Sequence, residues 1–375
     1  GFLRMGTVGI VSQLYGRSDY REIVRTIIRN FLIAMVLAII IVLLRAYVLD
    51  LIEYFFLISD ETKILIKAYI SVRVFSIPAE FIIYILVGFY LGIQKTRISS
   101  LLIIIFSSLN VIFSSYFVLS LDLKVFGVAL GTLVASYVTI FFYMLFTYRF
   151  IIKEFQIIPS FQRLFIPSKL LKLFNINFDI FIRTTILTFS FVWITYQGSK
   201  LGEDYLAVNT ILMQFIILAA FFLDAYAFCT EGIIGFTIGR KNKKSFLLAV
   251  KNSIELSFFT GLIISIIYLI FFKIIINTIT DIEILRFISY KYAIWIIIIP
   301  PIASFCYQLD GIFIGASQTK EMRNAMIIAV TFFIVTSTYL IKLFGNHGLW
   351  FSLLLFMILR SLTLKYYFNK ILKKF

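Results

Sequence analysis

The sequence predicts an all-α integral membrane protein: two six-helix lobes related by a pseudo-two-fold axis along the membrane normal, with the first helix and part of the second missing before residue 1. Three observations carry this. The chain is 61% apolar and 18% aromatic, with a mean hydropathy of +1.00, well outside the range of soluble domains. Apolar runs of about 18 residues or more recur along its length, each able to cross a bilayer as a helix. A barrel would instead show alternating segments of about ten residues, and lipid admits no third solution. Finally, one layout occurs twice: Pro78, Gly88, Gly92, Thr96 and Arg97 stand 223 residues before Pro301, Gly311, Gly315, Thr319 and Lys320.

Taken in order, residues 1–15 read as the end of a helix carrying Gly6, Gly9 and Ser12, closed by Tyr15-Gly16-Arg17. Phe2-Leu3-Arg4 is already span-like, with no basic start and cleavage site, so a truncated N-terminus is expected rather than a signal peptide. Spans are expected at 27–48, 67–94, 98–120, 125–148, 174–199, 204–238, 247–275, 287–317, 322–343 and 347–368. Between them the loop charge alternates. Arg17, Arg21, Arg25 and Arg29 precede a mixed loop with Asp50, Glu53, Asp60 and Glu61; Lys95 and Arg97 precede the weak Asp122/Lys124 loop. Glu203 and Asp204, then Arg240, Lys241, Lys243 and Lys244, then Asp281 and Glu283, then Lys320 and Arg323 continue the alternation to a basic tail. By the positive-inside rule the basic loops and the C-terminus face the cytoplasm. The segment 149–172, with Pro159 and Pro167 and five basic residues against Glu154 alone, reads as a cytoplasmic linker with a short surface helix. The division is therefore 1–148 for an N-terminal lobe, 149–173 for the linker and 174–375 for a C-terminal lobe.

The net charge of +16 is spread over short loops beside the spans, which sets orientation and builds no nucleic-acid groove. Cys229 and Cys306 lie inside apolar runs and read as small buried hydrophobes. A single histidine, His347, leaves no metal site. Loops are too short to hold a catalytic cluster, so no enzyme activity and no cofactor are expected. No GxxxxGK[ST] loop is present to bind a nucleotide. The bilayer and small molecules are the expected partners, and a monomer is the expected state.

The repeat extends beyond its first motif. Thr7, Gly9, Ile10, Gly16 and Arg17 match Thr230, Gly232, Ile233, Gly239 and Arg240 at the same offset. Phe126-Gly127 and His347-Gly348 are offset by 221, a drift of two residues. Subtracting the offset from the spans at 174–199 and 204–238 places one whole helix and half of another before Gly1. The two halves would then be parallel repeats.

Asp310 breaks the symmetry, because the matching position holds Val87. A carboxylate at such depth is costly and marks a functional position by default. Either it pairs with a nearby arginine or lysine to hold helices together, or it binds a coupling ion or a cationic solute. Desolvation favours a protonated carboxyl group, which ion coupling needs. Asp224 and Glu231 lie seven residues apart on one helix face, with Asn209 and Gln214 on the same span. Arg183 is their nearest partner by type, while Asp179 could pair with it at i,i+4. In the first half, Arg73 and Glu80 are expected to bridge to Arg4, and Asn110 with Ser114 forms a polar stripe that could line a cavity. The GxxxG pairs read as close helix packing.

The stretches GFLRMGTVGIVSQLYGRSD, VGFYLGIQKTR, DIFIRT, FFLDAYAFCTEGIIG, LDGIFIGASQTKEMRNAM and GNHGLW resemble the multidrug and toxic compound extrusion (MATE) transporters, in the DNA-damage-inducible protein F-like branch. The resemblance covers the whole chain. It implies two six-helix lobes around a cavity and export of cationic or amphipathic compounds against inward H+ or Na+, in a bacterial inner membrane. Sodium-coupled relatives place an aspartate where Asp310 stands. Two departures leave the coupling ion open: Ser114 stands where many relatives have an acid, and Thr184 to Trp193 lacks the glutamate of the sodium-coupled type. The alternative is a lipid-linked saccharide flippase of the same superfamily, which would need a cavity lined by several arginines.

Overall fold

A computed structural model describes residues 1–47, 59–157 and 164–375. The described residues are helical almost throughout and contain no strand. Twelve helices are used below: α1 (Phe2–Gly16), α2 (Tyr20–Leu43), α3 (Asp60–Arg73), α4 (Ile77–Gly92), α5 (Thr96–Ser115), α6 (Lys124–Phe150), α7 (Pro167–Leu201), α8 (Glu203–Gly239), α9 (Lys243–Ile279), α10 (Glu283–Gly315), α11 (Thr319–Phe344) and α12 (Asn346–Leu372). A 3-10 turn, Val74–Ser76, joins α3 to α4, and π-turns extend α5 to Ser120 and α6 to Phe155. Among the described residues, ten helical stretches are long and apolar enough to cross a membrane.

The chain divides into two compact units near Phe174 and Asn175. The helical stretches all begin before their expected apolar spans, and most end beyond them. Helix α7 starts at Pro167 and α6 with its π-turn ends at Phe155, so both run into the stretch expected to be linker. Hydropathy marks where a helix leaves the membrane, not where it ends. Arg149, Lys153, Lys169 and Lys172 are charged but sit at helical positions. Pro167 at the first position of α7 suits its missing N–H. Asp50, Glu53 and Pro159, and with Pro159 the middle of the expected surface helix, lie outside the described residues.

The duplication is written into the backbone of each unit. Shifting 60–92, the bounds of α3 through α4, by 223 gives 283–315, the bounds of α10. The turns repeat as well. Ser18 and Lys241 have φ of 58° and 56°, Gln94 and Ser317 62° and 51°, Asp122 and Gly345 49° and 56°. Asp19 caps α2 by accepting from the Glu22 N–H, and its counterpart Asn242 caps α9 by accepting from Ser245. Packing repeats too. A Cβ on Gly88 would fall 2.6 Å from the Arg4 carbonyl oxygen, and one on Gly311 would fall 2.7 Å from that of Ala227, the residue matching Arg4. Small residues let each pair of helices approach closely.

The repeated proline behaves differently in the two units. Pro78 follows a 3-10 break, whereas α10 stays helical through Pro300 and Pro301. Pro301 cannot donate to the Ile297 carbonyl. In its place the Ser265 hydroxyl of α9 donates to Ile297 O at 2.6 Å, beside Gly261, where a Cβ would fall 2.8 Å from the Pro301 Cα. The core of the second unit gathers Phe215, Tyr268, Ile296, Phe333, Trp350 and Phe356. On the outer face of α9, Ile263, Ile266, Ile270 and Ile274 are 54–62% exposed, an apolar stripe suited to lipid contact.

Candidate functional site

In the second unit, a charge cluster sits among three helices. Asp310 of α10 accepts hydrogen bonds at Oδ2 from Arg183 Nη2 of α7 and from Arg360 Nη2 of α12, the latter at 2.5 Å. The three side chains are 6%, 6% and 2% exposed. The Nε atoms of both arginines are buried without a partner, so the carboxylate meets only part of their donor capacity. Such a cluster binds helices together strongly once formed, because each ion is costly to leave unpaired.

Arg360 is the residue the sequence reading missed. It lies inside the apolar run from Leu349 to Leu364, the same signal that singled out Asp310. With Arg183 it sets two buried cations against the buried acids Asp179, Glu231, Asp310 and Glu321 of this half. The partner assignments change too. Arg183 goes to Asp310, and Asp179 does not take it at i,i+4. Instead Asp179 receives Arg323 Nη1 at 2.6 Å and the Thr319 hydroxyl at 3.1 Å, both from the first turn of α11. A cross-helix guanidinium satisfies Asp179, while the depth of Arg183 in α7 sets it level with Asp310.

Asp224 and Glu231 do share a face of α8, as their spacing predicted. Glu231 is 1% exposed, and Asp224 is half-buried. Asp224 acts electrostatically on Cys306 and Tyr307 of α10, as do Asp310 and Arg360, so Asp224 belongs to the same polar neighbourhood. Between them, the Thr230 hydroxyl and Gln308 Oε1 lie 3.0 Å apart, and Gln308 Nε2 donates to the Leu223 carbonyl at 3.3 Å.

Nearer the start of α8 a cavity of about 270 Å³ opens between α7 and α8. Phe191, Ile194, Met213 and Ile217 form its apolar wall, and Asn209, Thr210, Gln214 and Thr195 supply polar atoms. Asn209 is held rigidly: it exchanges amide bonds with Asn346 at 2.8 and 2.9 Å and accepts from Trp350 Nε1 at 2.9 Å. Gln214 is exposed to the cavity side. Of the predicted polar residues, Asn209 and Gln214 are therefore brought together on one wall.

In the first unit the polar stripe is hydrogen-bonded across helices. Asn110 Nδ2 donates to the Thr132 hydroxyl at 2.8 Å, and the Ser114 hydroxyl reaches the Val128 carbonyl at 3.5 Å. A Cβ on Gly131 would strike Ser114. Asn110 and Ser114 thus tie α5 to α6. Arg73 and Glu80 pair with each other, Nη2 to Oε2 at 3.1 Å, with Ser76 between them. Among the described residues no three His, Cys, Asp or Glu side chains gather as a metal site requires.

Comparison with known proteins places this architecture. The MatE family model matches residues 2–116 and 180–340. The chain is 32% identical over 363 residues to DNA damage-inducible protein F of Escherichia coli (strain K12), covering 97% of this chain and 79% of that protein. It is 26% identical over 182 residues to the multidrug export protein MepA of Staphylococcus saprophyticus, covering 47% of this chain and 39% of that one. A MATE crystal structure in the straight conformation superposes with a TM-score of 0.89 at 15% identity, over 100% of this chain and 84% of the other. An outward-facing multidrug resistance MATE transporter of the MOP superfamily does so with 0.89 at 16% identity, over the same shares. The fold, the family model and the full-length similarity agree: the chain belongs to the MatE family and is a membrane transporter, not an enzyme.

Proposed function

We propose that this transporter is a secondary active exporter, moving amphipathic or cationic organic compounds outward in exchange for inward H+ or Na+ across a bacterial inner membrane. The observation that carries the reading is the cavity between α7 and α8, an apolar wall with Phe191 faced by two amides, one of them fixed, and two hydroxyls. That is the usual make-up of a site for mixed apolar and polar solutes. The similarity to a multidrug export protein supports it.

The candidate coupling acids are Asp310, Asp224 and Glu231. Asp310 holds Arg183 and Arg360 through one oxygen, so an ion bound there would compete with the two guanidiniums that join α7 and α12 to α10. The flippase reading has less support, because the cavity lining contains no arginine and both buried arginines of this unit are spent on Asp310.

Efflux of a fluorescent lipophilic cation from cells making the protein tests this. Collapsing the proton gradient should stop efflux, and Gln214→Leu should slow it roughly 2- to 10-fold, the worth of one hydrogen bond. Efflux that survives loss of both the proton and the sodium gradient would sink the exchange mechanism. Transport of a lipid-linked saccharide without efflux of cations would favour the flippase.

A further inference from the structure

A second cavity, of about 260 Å³, lies in the first unit, away from the α7–α8 pocket. It forms where the α1–α2 turn meets the first turns of α7. Its floor is apolar, made by Ile10, Leu14 and Leu173. Its rim is cationic: Arg17, Arg29, Lys169 and Lys172, against the two acids Asp19 and Glu22. Both acids are engaged. The Asp19 carboxylate caps α2 through the Glu22 N–H at 3.1 Å. Glu22 receives Arg29 Nη1 and Lys169 Nζ, each at 2.7 Å, and Arg25 at 3.7 Å.

Arg29 is 1% exposed and is fixed from its other side as well, its Nε donating to the Leu164 carbonyl at 2.8 Å. The result is a built cationic wall with a surplus of two positive charges. Arg17 and Lys172 stand at its exposed edge, and among the described residues neither carries an ion pair. The volume equals that of roughly eight or nine waters at ~30 Å³ each, room for a phosphate group and part of its hydration shell. Basic pockets between helices at a membrane surface hold anionic headgroups through direct and solvent-shared contacts. The apolar floor directly beneath suits the first carbons of an attached chain.

We infer that this cavity binds a phosphate group, supplied either by an anionic lipid headgroup of the adjoining leaflet or by a free phosphate ester. The inference does not depend on which solute is exported. By the positive-inside pattern the site faces the cytoplasm.

The test uses the whole protein in nanodiscs of phosphatidylcholine, with and without phosphatidylglycerol or cardiolipin. In parallel, inorganic pyrophosphate is added to the phosphatidylcholine discs. Retained lipid is counted by native mass spectrometry, and thermal stability is followed in every arm. The double variant Arg17→Gln/Lys172→Gln removes rim charge without touching the Glu22 cluster. The control Lys243→Gln/Lys244→Gln removes equal charge from exposed positions in the second unit.

The expected result is one tightly held anionic lipid or a saturable stabilisation by pyrophosphate. The double variant should weaken it roughly five-fold for each charge removed, and the control should not. Retention that weakens as salt rises is expected as well. Lipid retention alone assigns the site to a headgroup, and pyrophosphate stabilisation alone to a soluble ester. No retention of either ligand, equal binding by the rim variant and the unaltered protein, or equal loss in the control would overturn the proposal.

Discussion

At the scale of single residues, Asp310 carries more of this protein's chemistry than its position in an apolar run suggested. One oxygen of its carboxylate holds two guanidiniums from different helices. Removing the acid strands two buried cations, whereas removing one arginine leaves a neutral pair. Asp310→Leu should therefore cost about 3–5 kcal/mol, and Arg360→Met distinctly less, as read from thermal unfolding of the purified variants. Equal losses would mean that the cluster does not act as a unit. The sequence made the acid visible but not its company. Depth in the membrane follows from hydropathy, whereas pairing depends on which helix faces which, and that is set by packing. Arg360 shows the limit: the signal was present in the sequence, but nothing local in α12 pairs it with Asp310, fifty residues away.

At the scale of helices, glycine spacing was the most legible feature. Gly88 and Gly311 sit at matching positions and meet matching backbone, the carbonyls of Arg4 and Ala227. A methyl group at either would press on a carbonyl that cannot move aside. Gly88→Ala and Gly311→Ala should each destabilise by about 1–3 kcal/mol. Melting of the two variants side by side checks this, and a loss at one position only would break the equivalence of the repeats. Helix ends were less legible, because hydropathy senses lipid and helices such as α7 begin well outside it. The stripe of Asn110 and Ser114 was visible as polar but not as packing: its hydrogen bonds go to α6, and nothing local in α5 announces that.

At the scale of the molecule, the apolar runs and the repeat were enough to predict an all-helical membrane protein with an internal duplication. Orientation is the expectation most open to direct test. In a Cys229→Ser background, cysteines at Arg97, Lys243, Lys320 and Lys373 should react with a membrane-impermeant thiol reagent only from the cytoplasmic side. Cysteines at Asp122, Glu203 and Asp281 should react only from outside. Labelling of both sets from one side would overturn the positive-inside assignment. The partition between structure and function was harder to read. A buried acid, an amide and an arginine look alike in sequence whether they bind a solute or each other. Asn209 is fixed by Asn346 and Trp350 and also lines the cavity.

Helix α10 adds a mechanical point. At Pro301 its ladder is completed by a borrowed hydroxyl, that of Ser265 on α9, and not by its own amide. Flexing the helix there gives up one side-chain bond with a net worth of about 1 kcal/mol, because Pro300 and Pro301 both lack the N–H that an ordinary turn donates. The compliance of this long rod is thus concentrated at the proline pair, about two and a half turns from the carboxylate that holds α7 and α12. A push on that carboxylate meets a stiff lever with a soft joint, and the joint can be tightened or loosened from a neighbouring helix by a single oxygen atom.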